Sequence, residues 1–261
     1  MNEASQYLLT LAKRNAQAYA SLPNIKAIML TGSVAEGISD FYSDTDMILY
    51  YDELPSEEAL LAAYRQNQGE DRRLLGDRSE GALIDVYQVH GVECQCEHTT
   101  IAAWEHEIAS VLEQLDVATP TQKALSGMLE AIPLYGEALI QNWQTRLANY
   151  PATLAQAMVK HYLAVFPLWG IQDRMTTRDA TIWHYQLLVE GAYNILGILS
   201  GLNHLYYSSF QFKRMHHFIE QMNIAPAALA NRLEALFHTD ATTAATEMDM
   251  VCISHNDSTA R

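Results

Sequence analysis

"LTGSVAEGISDFYSDTDMILYY", Leu30 to Tyr51, is the most informative run in the chain. Its front half is built from small residues, Gly32, Ser33, Ala35 and Gly37. The residues before it, "IKAIML" (25–30), form an apolar run with the length of a buried strand. A second apolar run, Met47 to Tyr51, follows directly on Asp44-Thr45-Asp46. Residues i and i+2 of a strand point to the same side, so the two carboxylates project together. Two adjacent anions repel, and burial strengthens the repulsion. A divalent cation removes it: magnesium takes one or two carboxylates and completes its shell with water and phosphate oxygens. Gly32 permits close backbone approach, and the turn N–H groups with the Ser33 hydroxyl offer donors to a phosphate. Strand, Gly-Ser, spacer, Asp-x-Asp and strand together read as a phosphate cradle beside a metal-binding pair.

Working outward, residues 5–20 have the period of a helix, with Leu8, Leu11, Ala12, Ala18 and Tyr19 on one face and Pro23-Asn24 as the stop. "PSEEALLAAYRQ" opens a second helix, with Leu60, Leu61 and Tyr64 at helical spacing. "ALIDVYQVHGVECQCEHTT" predicts a hairpin turning at His90-Gly91. In its second arm Val92, Cys94 and Cys96 face one way, and Glu93, Gln95 and Glu97 the other. A helix from about Ile101 to Leu115 follows. "DVATPTQ", with Pro120, marks the expected boundary between a domain over residues 1–117 and one over 118–261. Beyond it the pattern is helical: a stripe of Leu154, Ala157, Met158, His161, Tyr162 and Val165, a long apolar helix in "WHYQLLVEGAYNILGILSGLNHLYY", and "APAALANRLEALF". The end of the chain, "EMDMVCISHNDSTAR", has no sustained period and reads as a loose tail. The expected class is α+β, a mixed sheet with flanking helices followed by a helical bundle.

The formal net charge is −15, which disfavours nucleic-acid binding through phosphate neutralisation and is compatible with a cationic small molecule or a metal-bound nucleotide. The three cysteines, Cys94, Cys96 and Cys252, form no C-x-x-C pair and suit a reducing compartment. No apolar run reaches membrane-spanning length and the first residues do not read as a secretory signal, so a cytoplasmic, membrane-free protein is expected. Walker and dinucleotide-binding glycine patterns are missing.

With Leu30, Gly32-Ser33, a ten-residue spacer, Asp44-Thr45-Asp46 and Met47, the stretch resembles the nucleotidyltransferases of DNA polymerase beta type. It is similar to the small bacterial two-domain members acting on aminoglycosides and lincosamides. The resemblance implies two magnesium ions held by Asp44 and Asp46, and ATP or another nucleoside triphosphate as co-substrate. A nucleotidyl group would pass to a hydroxyl of a small-molecule acceptor, with pyrophosphate leaving. It places the phosphates at Gly32 and Ser33. It assigns a nucleotide-contacting lysine to the helical half, where Lys213 is the candidate; a basic helix end complementing its dipole is the plain alternative. It also implies a third carboxylate on a neighbouring strand. The centre of the matching pattern falls on Gln95, an amide, so Glu97 or Glu93 would take the role, with Asp85 on the first arm a further option. Two rivals follow: a degenerate nucleotide- or partner-binding regulator of the same fold, and a transferase that modifies a protein.

Overall fold

The computed structural model describes residues 1–163 and 177–258. Its central element is a mixed sheet of strands β1 (Ile25–Thr31), β2 (Thr45–Tyr51), β3 (Glu70–Leu75), β4 (Ala82–Val89), β5 (Val92–Thr100) and β6 (Ile132–Tyr135), in the order β3-β4-β5-β2-β1-β6. The β2–β5 pair is parallel and the remaining pairs are antiparallel. With its flanking helices this is the α+β architecture expected from the sequence. Contacts divide the chain into two units, Met1–Glu113 with Ala124–Asn149, and Gln114–Lys123 with Tyr150–Arg261.

In the first unit, helix α1 (Glu3–Ala20) starts at Asn2, whose side chain accepts from the Ser5 N–H. Its buried stripe, Leu8, Leu11, Ala12 and Tyr19 among others, shares a core with Ile28 and Leu30 of β1, Met47, Leu49 and Tyr51 of β2, and Cys94 and Cys96 of β5. Helix α2 (Gly32–Glu36) is a single short turn, and α3 (Glu57–Gln66) is capped by Ser56. The hairpin between β4 and β5 turns at His90 and Gly91, both at positive φ. Helix α4 (Ile101–Leu112), capped by Thr100, and α6 (Glu137–Ala148) bring Trp104 and Trp143 onto Tyr50, with ring centroids 5.8 and 4.6 Å away. Strand alternation therefore gives β2 two different faces. Met47, Leu49 and Tyr51 enter the core beneath α1, while Asp46, Ile48 and Tyr50 lie on the other side, apolar only at the tryptophan end.

Two strands depart from the sequence reading. β3, "EDRRLL", is a charged edge strand with an irregular register between Glu70 and Arg73, so it carries no hydrophobic alternation. β6, "IPLY", brings the chain back to the sheet beside β1. It is four residues long and contains Pro133, which suits an edge and masks a strand signal.

His98 shows what the polar side of this core demands. It is fully buried, with Nδ1 2.9 Å from the Tyr51 hydroxyl and Nε2 without a partner. Burial, aided by the Arg72 and Arg78 charges, pushes its pKa down to about 3. The unfolded chain binds a proton near the ordinary value of about 6.5 and the folded one does not. His98 therefore opposes unfolding fully above that pH, and the contribution fades as pH falls toward 3. Urea unfolding between pH 4 and 6 should show a stability slope up to about 1.4 kcal/mol per pH unit steeper in the native chain than in His98→Gln. Equal slopes would contradict the burial argument.

In the second unit, α7 (Ala152–Tyr162) lies against α8 (Thr181–Asn203). Gly197 and Gly201, one turn apart, make this possible: a Cβ at Gly197 would strike the Tyr162 ring, and one at Gly201 would lie 2.9 Å from the Ala155 carbonyl oxygen. Leu154, Met158 and Tyr162 of the expected stripe are buried, Ala157 and His161 are not, and Val165 lies outside the described residues. The end of the chain is a correction. Where a loose tail was expected, a helix runs over Ala241–Ser258. Ala244, Ala245, Met248 and Val251 are buried along it, a helical stripe that begins before "EMDMVCIS" and is lost when that segment is read by itself. Among the described residues no helix is long and apolar enough to cross a membrane.

Candidate active site

Asp46 stands in β2 directly opposite Thr31, the last residue of β1, and Gly32 follows at once. The backbone of Gly32 takes φ +68°, and a Cβ there would lie 2.5 Å from Asp46 Oδ2. Glycine is required twice, for the left-handed conformation and for the carboxylate pressed against it. The Thr31 hydroxyl donates to the Gly127 carbonyl at 3.1 Å, tying the end of β1 to helix α5 (Thr121–Leu129). The Ser33 hydroxyl is 3.4 Å from that of Ser39, and Ser39 is held by Asn2 and Ser5 of the α1 start. The loop leading to Asp44 is turned by Asp40, which accepts from the Tyr42 N–H and the Ser43 hydroxyl and leaves Phe41 and Tyr42 over 90% and at 90% exposure respectively.

The β2–β5 register runs without a bulge and sets Gln95 opposite Asp46 and Glu97 opposite Ile48. Glu93, Gln95 and Glu97 therefore share the face that carries Asp46. Gln95 Nε2 donates to Asp44 Oδ2 at 2.9 Å and to Glu93 Oε1 at 3.1 Å. Glu93 also accepts from Arg73 Nη2 at 3.1 Å. Glu97 lies two residues further along β5, half-buried. Burial first, then the Glu107 charge on α4, hold its carboxyl above the usual range. Asp85 is elsewhere: opposite Cys96 on the core face, fully buried, and bound by Arg72 at 2.8 Å. Lys213 belongs to the second unit, where it is exposed just before the helix Met215–Glu220.

The donor set suits one magnesium ion. Asp44 and Asp46 offer hard carboxylate oxygens from one side of a strand end, both partly open to solvent, with a glycine turn beside them. Among the described residues no three histidine, cysteine or acidic side chains converge as a metal-binding group. Sequence reasoning overlooked Arg73. Its signal is the Arg72-Arg73 pair: neighbours on a strand point to opposite faces, and here one meets Asp85 and the other Glu93.

No family model matches the sequence, and no curated protein matches it either. Among solved structures, the chain is similar to a nucleotidyltransferase-like protein from Exiguobacterium sibiricum, at 10% identity and a TM-score of 0.45, over 96% of this chain and 75% of that one. It is also similar to a cytoplasmic RNA terminal U-transferase (19% identity, TM-score 0.26, 64% of this chain) and to the Cid1 poly(U) polymerase with magnesium and 3'-dATP bound (18%, 0.27, 64%). The chain spans about half the length of these last two, 51% and 52%.

Proposed function

We propose that this chain is a magnesium-dependent nucleotidyltransferase that moves a nucleoside monophosphate from ATP or another nucleoside triphosphate to a hydroxyl of a small-molecule acceptor. The observation that carries the reading is the packing of Gly32 against Asp46, which joins the Gly-Ser turn and the Asp-x-Asp pair into one site. Asp44 and Asp46 would hold magnesium, whose chemistry is to neutralise charge on the phosphate oxygens. Gly32 and Ser33 receive the phosphates. The acceptor oxygen forms its bond to the α-phosphorus while the bond to the bridging oxygen breaks, and pyrophosphate leaves with that electron pair. The hydroxyl proton goes to a carboxylate on β5. Glu93 already accepts from Arg73 and Gln95, whereas burial keeps Glu97 proton-seeking, which favours Glu97 as the base. A cationic acceptor is compatible with the net charge of −15.

The test is pyrophosphate release from each nucleoside triphosphate with magnesium, across cationic and neutral hydroxyl compounds and a short RNA. Asp44→Asn and Asp46→Asn should each lower turnover by roughly 10²–10³-fold, the effect of removing one group that stabilises transition-state charge. Unchanged turnover in both would end the proposal; transfer to RNA alone would replace the acceptor class. A second reading, a nucleotide-binding regulator without turnover, is favoured by the amide of Gln95 opposite Asp46. Magnesium-dependent triphosphate binding with no product on any acceptor would select it.

A further inference from the structure

We propose that Gln95 and Arg73 occupy, as side chains, the place on this face where a second divalent ion would be held, so that the site takes a single ion, the one arriving with the nucleotide. The inference rests on the nucleotidyltransferase reading and departs from the two ions that the sequence resemblance implies. Its basis is a chain of contacts: Arg73 to Glu93 at 3.1 Å, Glu93 to Gln95 at 3.1 Å, and Gln95 to Asp44 at 2.9 Å.

One amide nitrogen donates both hydrogens, one to each of two carboxylates. The opposite orientation of the amide would point its oxygen at two anions, so the chemistry of the neighbours fixes the nitrogen inward. A cation cannot share that position with an NH₂ group whose hydrogens point at the same oxygens. Glu93 has in addition a guanidinium of its own, which meets its charge. Asp44 and Asp46 still present carboxylate oxygens beside the glycine turn, both partly open to solvent, and two carboxylates match one magnesium ion. The unbroken β2–β5 register prevents a neighbour from replacing Gln95: Glu97 stands opposite Ile48, one side-chain repeat further on. The amide also links Asp44 to the strand that carries Glu93, so Asp44 is oriented before metal or nucleotide arrives.

The experiment is a manganese titration followed by electron paramagnetic resonance, on the full chain with one equivalent of a non-hydrolysable triphosphate. The native chain should hold one tight Mn²⁺ per chain. Gln95→Glu should add a second, tightened roughly 10- to 100-fold over its native affinity, and Arg73→Gln, an exposed change that releases Glu93, should tighten the second ion to a lesser degree. Two tight ions in the native chain, or no second ion in either variant, would overturn the inference and leave the parent reading standing. If Gln95→Glu does not fold, the native stoichiometry and Arg73→Gln still decide. Absence of any nucleotide-dependent Mn²⁺ binding in the native chain would overturn both readings together.

Discussion

Arg72→Ala is expected to lower the stability of the sheet-containing unit by about 3–5 kcal/mol, the usual result of stripping the partner from a buried charge. Asp85 has no exposed side-chain surface and Arg72 only 13%, and the guanidinium meets both carboxylate oxygens, with Nε and Nη2 each at 2.8 Å. Burial drives the Asp85 carboxyl upward against the pull of Arg72, so without the arginine the group is left neutral and poorly satisfied, or charged and alone. In thermal unfolding this corresponds to a Tm drop of roughly 10 °C. Arg72 also lies over the Tyr64 ring at 5.7 Å. The double change Arg72→Met with Asp85→Leu should recover most of the loss, because exchanging a buried ion pair for apolar groups is often neutral. A Tm unchanged in Arg72→Ala would mean that β3 does not depend on the pair for its register. A secondary consequence reaches the site: a loosened β3 frees Arg73 from Glu93, so second-ion binding should rise in Arg72→Ala as it does in Arg73→Gln.

That ion pair also explains what the sequence did and did not disclose. β1, β2 and β5 were legible because their residues alternate or run apolar, α1 because a 3.6-residue stripe ends at Pro23-Asn24, and α3 because its Pro-Ser-Glu-Glu start agrees with its stripe. Asp44 and Asp46 were legible as a pair because strand geometry alone puts them on one side. β3 was hidden because an ion pair and not a hydrophobic pattern sets its position, and β6 because it is short and carries proline. The candidate site divides in the same way. The Gly-Ser turn and the acidic pair are local in sequence, and the turn's contact with Asp46 follows from the β1–β2 pairing. Which β5 residue stands opposite Asp46 is a question of register between strands about fifty residues apart, and only the pairing answers it with Gln95. Arg73 was invisible for a further reason: its role depends on β3 being a strand at all.

Gly32→Ala should cost the site far more than it costs the fold. At φ +68° a side chain is strained by roughly 1–2 kcal/mol wherever it sits. Gly91→Ala measures that strain by itself, since φ there is +77° and a Cβ would meet nothing within 4 Å. The two variants should therefore lose comparable backbone stability, a Tm shift of a few degrees. They should differ in function. A methyl at Gly32 sits 2.5 Å from Asp46 Oδ2, with the carboxyl carbon at 3.5 Å, so the Asp46 carboxylate must swing away from the turn. Asp46 is fixed at its base by the Thr31 pairing, so rotation of its side chain is the cheaper relief. A displacement of about 1 Å in a reacting constellation is worth roughly a hundredfold in rate. Gly32→Ala should show that loss in kcat/KM and weaker Mn²⁺–nucleotide binding, while Gly91→Ala keeps both near the native level. Equal activities in the two variants would mean that Asp46 does not act from the position it holds beside the turn, and the assignment of Asp44 and Asp46 as a metal-holding pair would have to be given up.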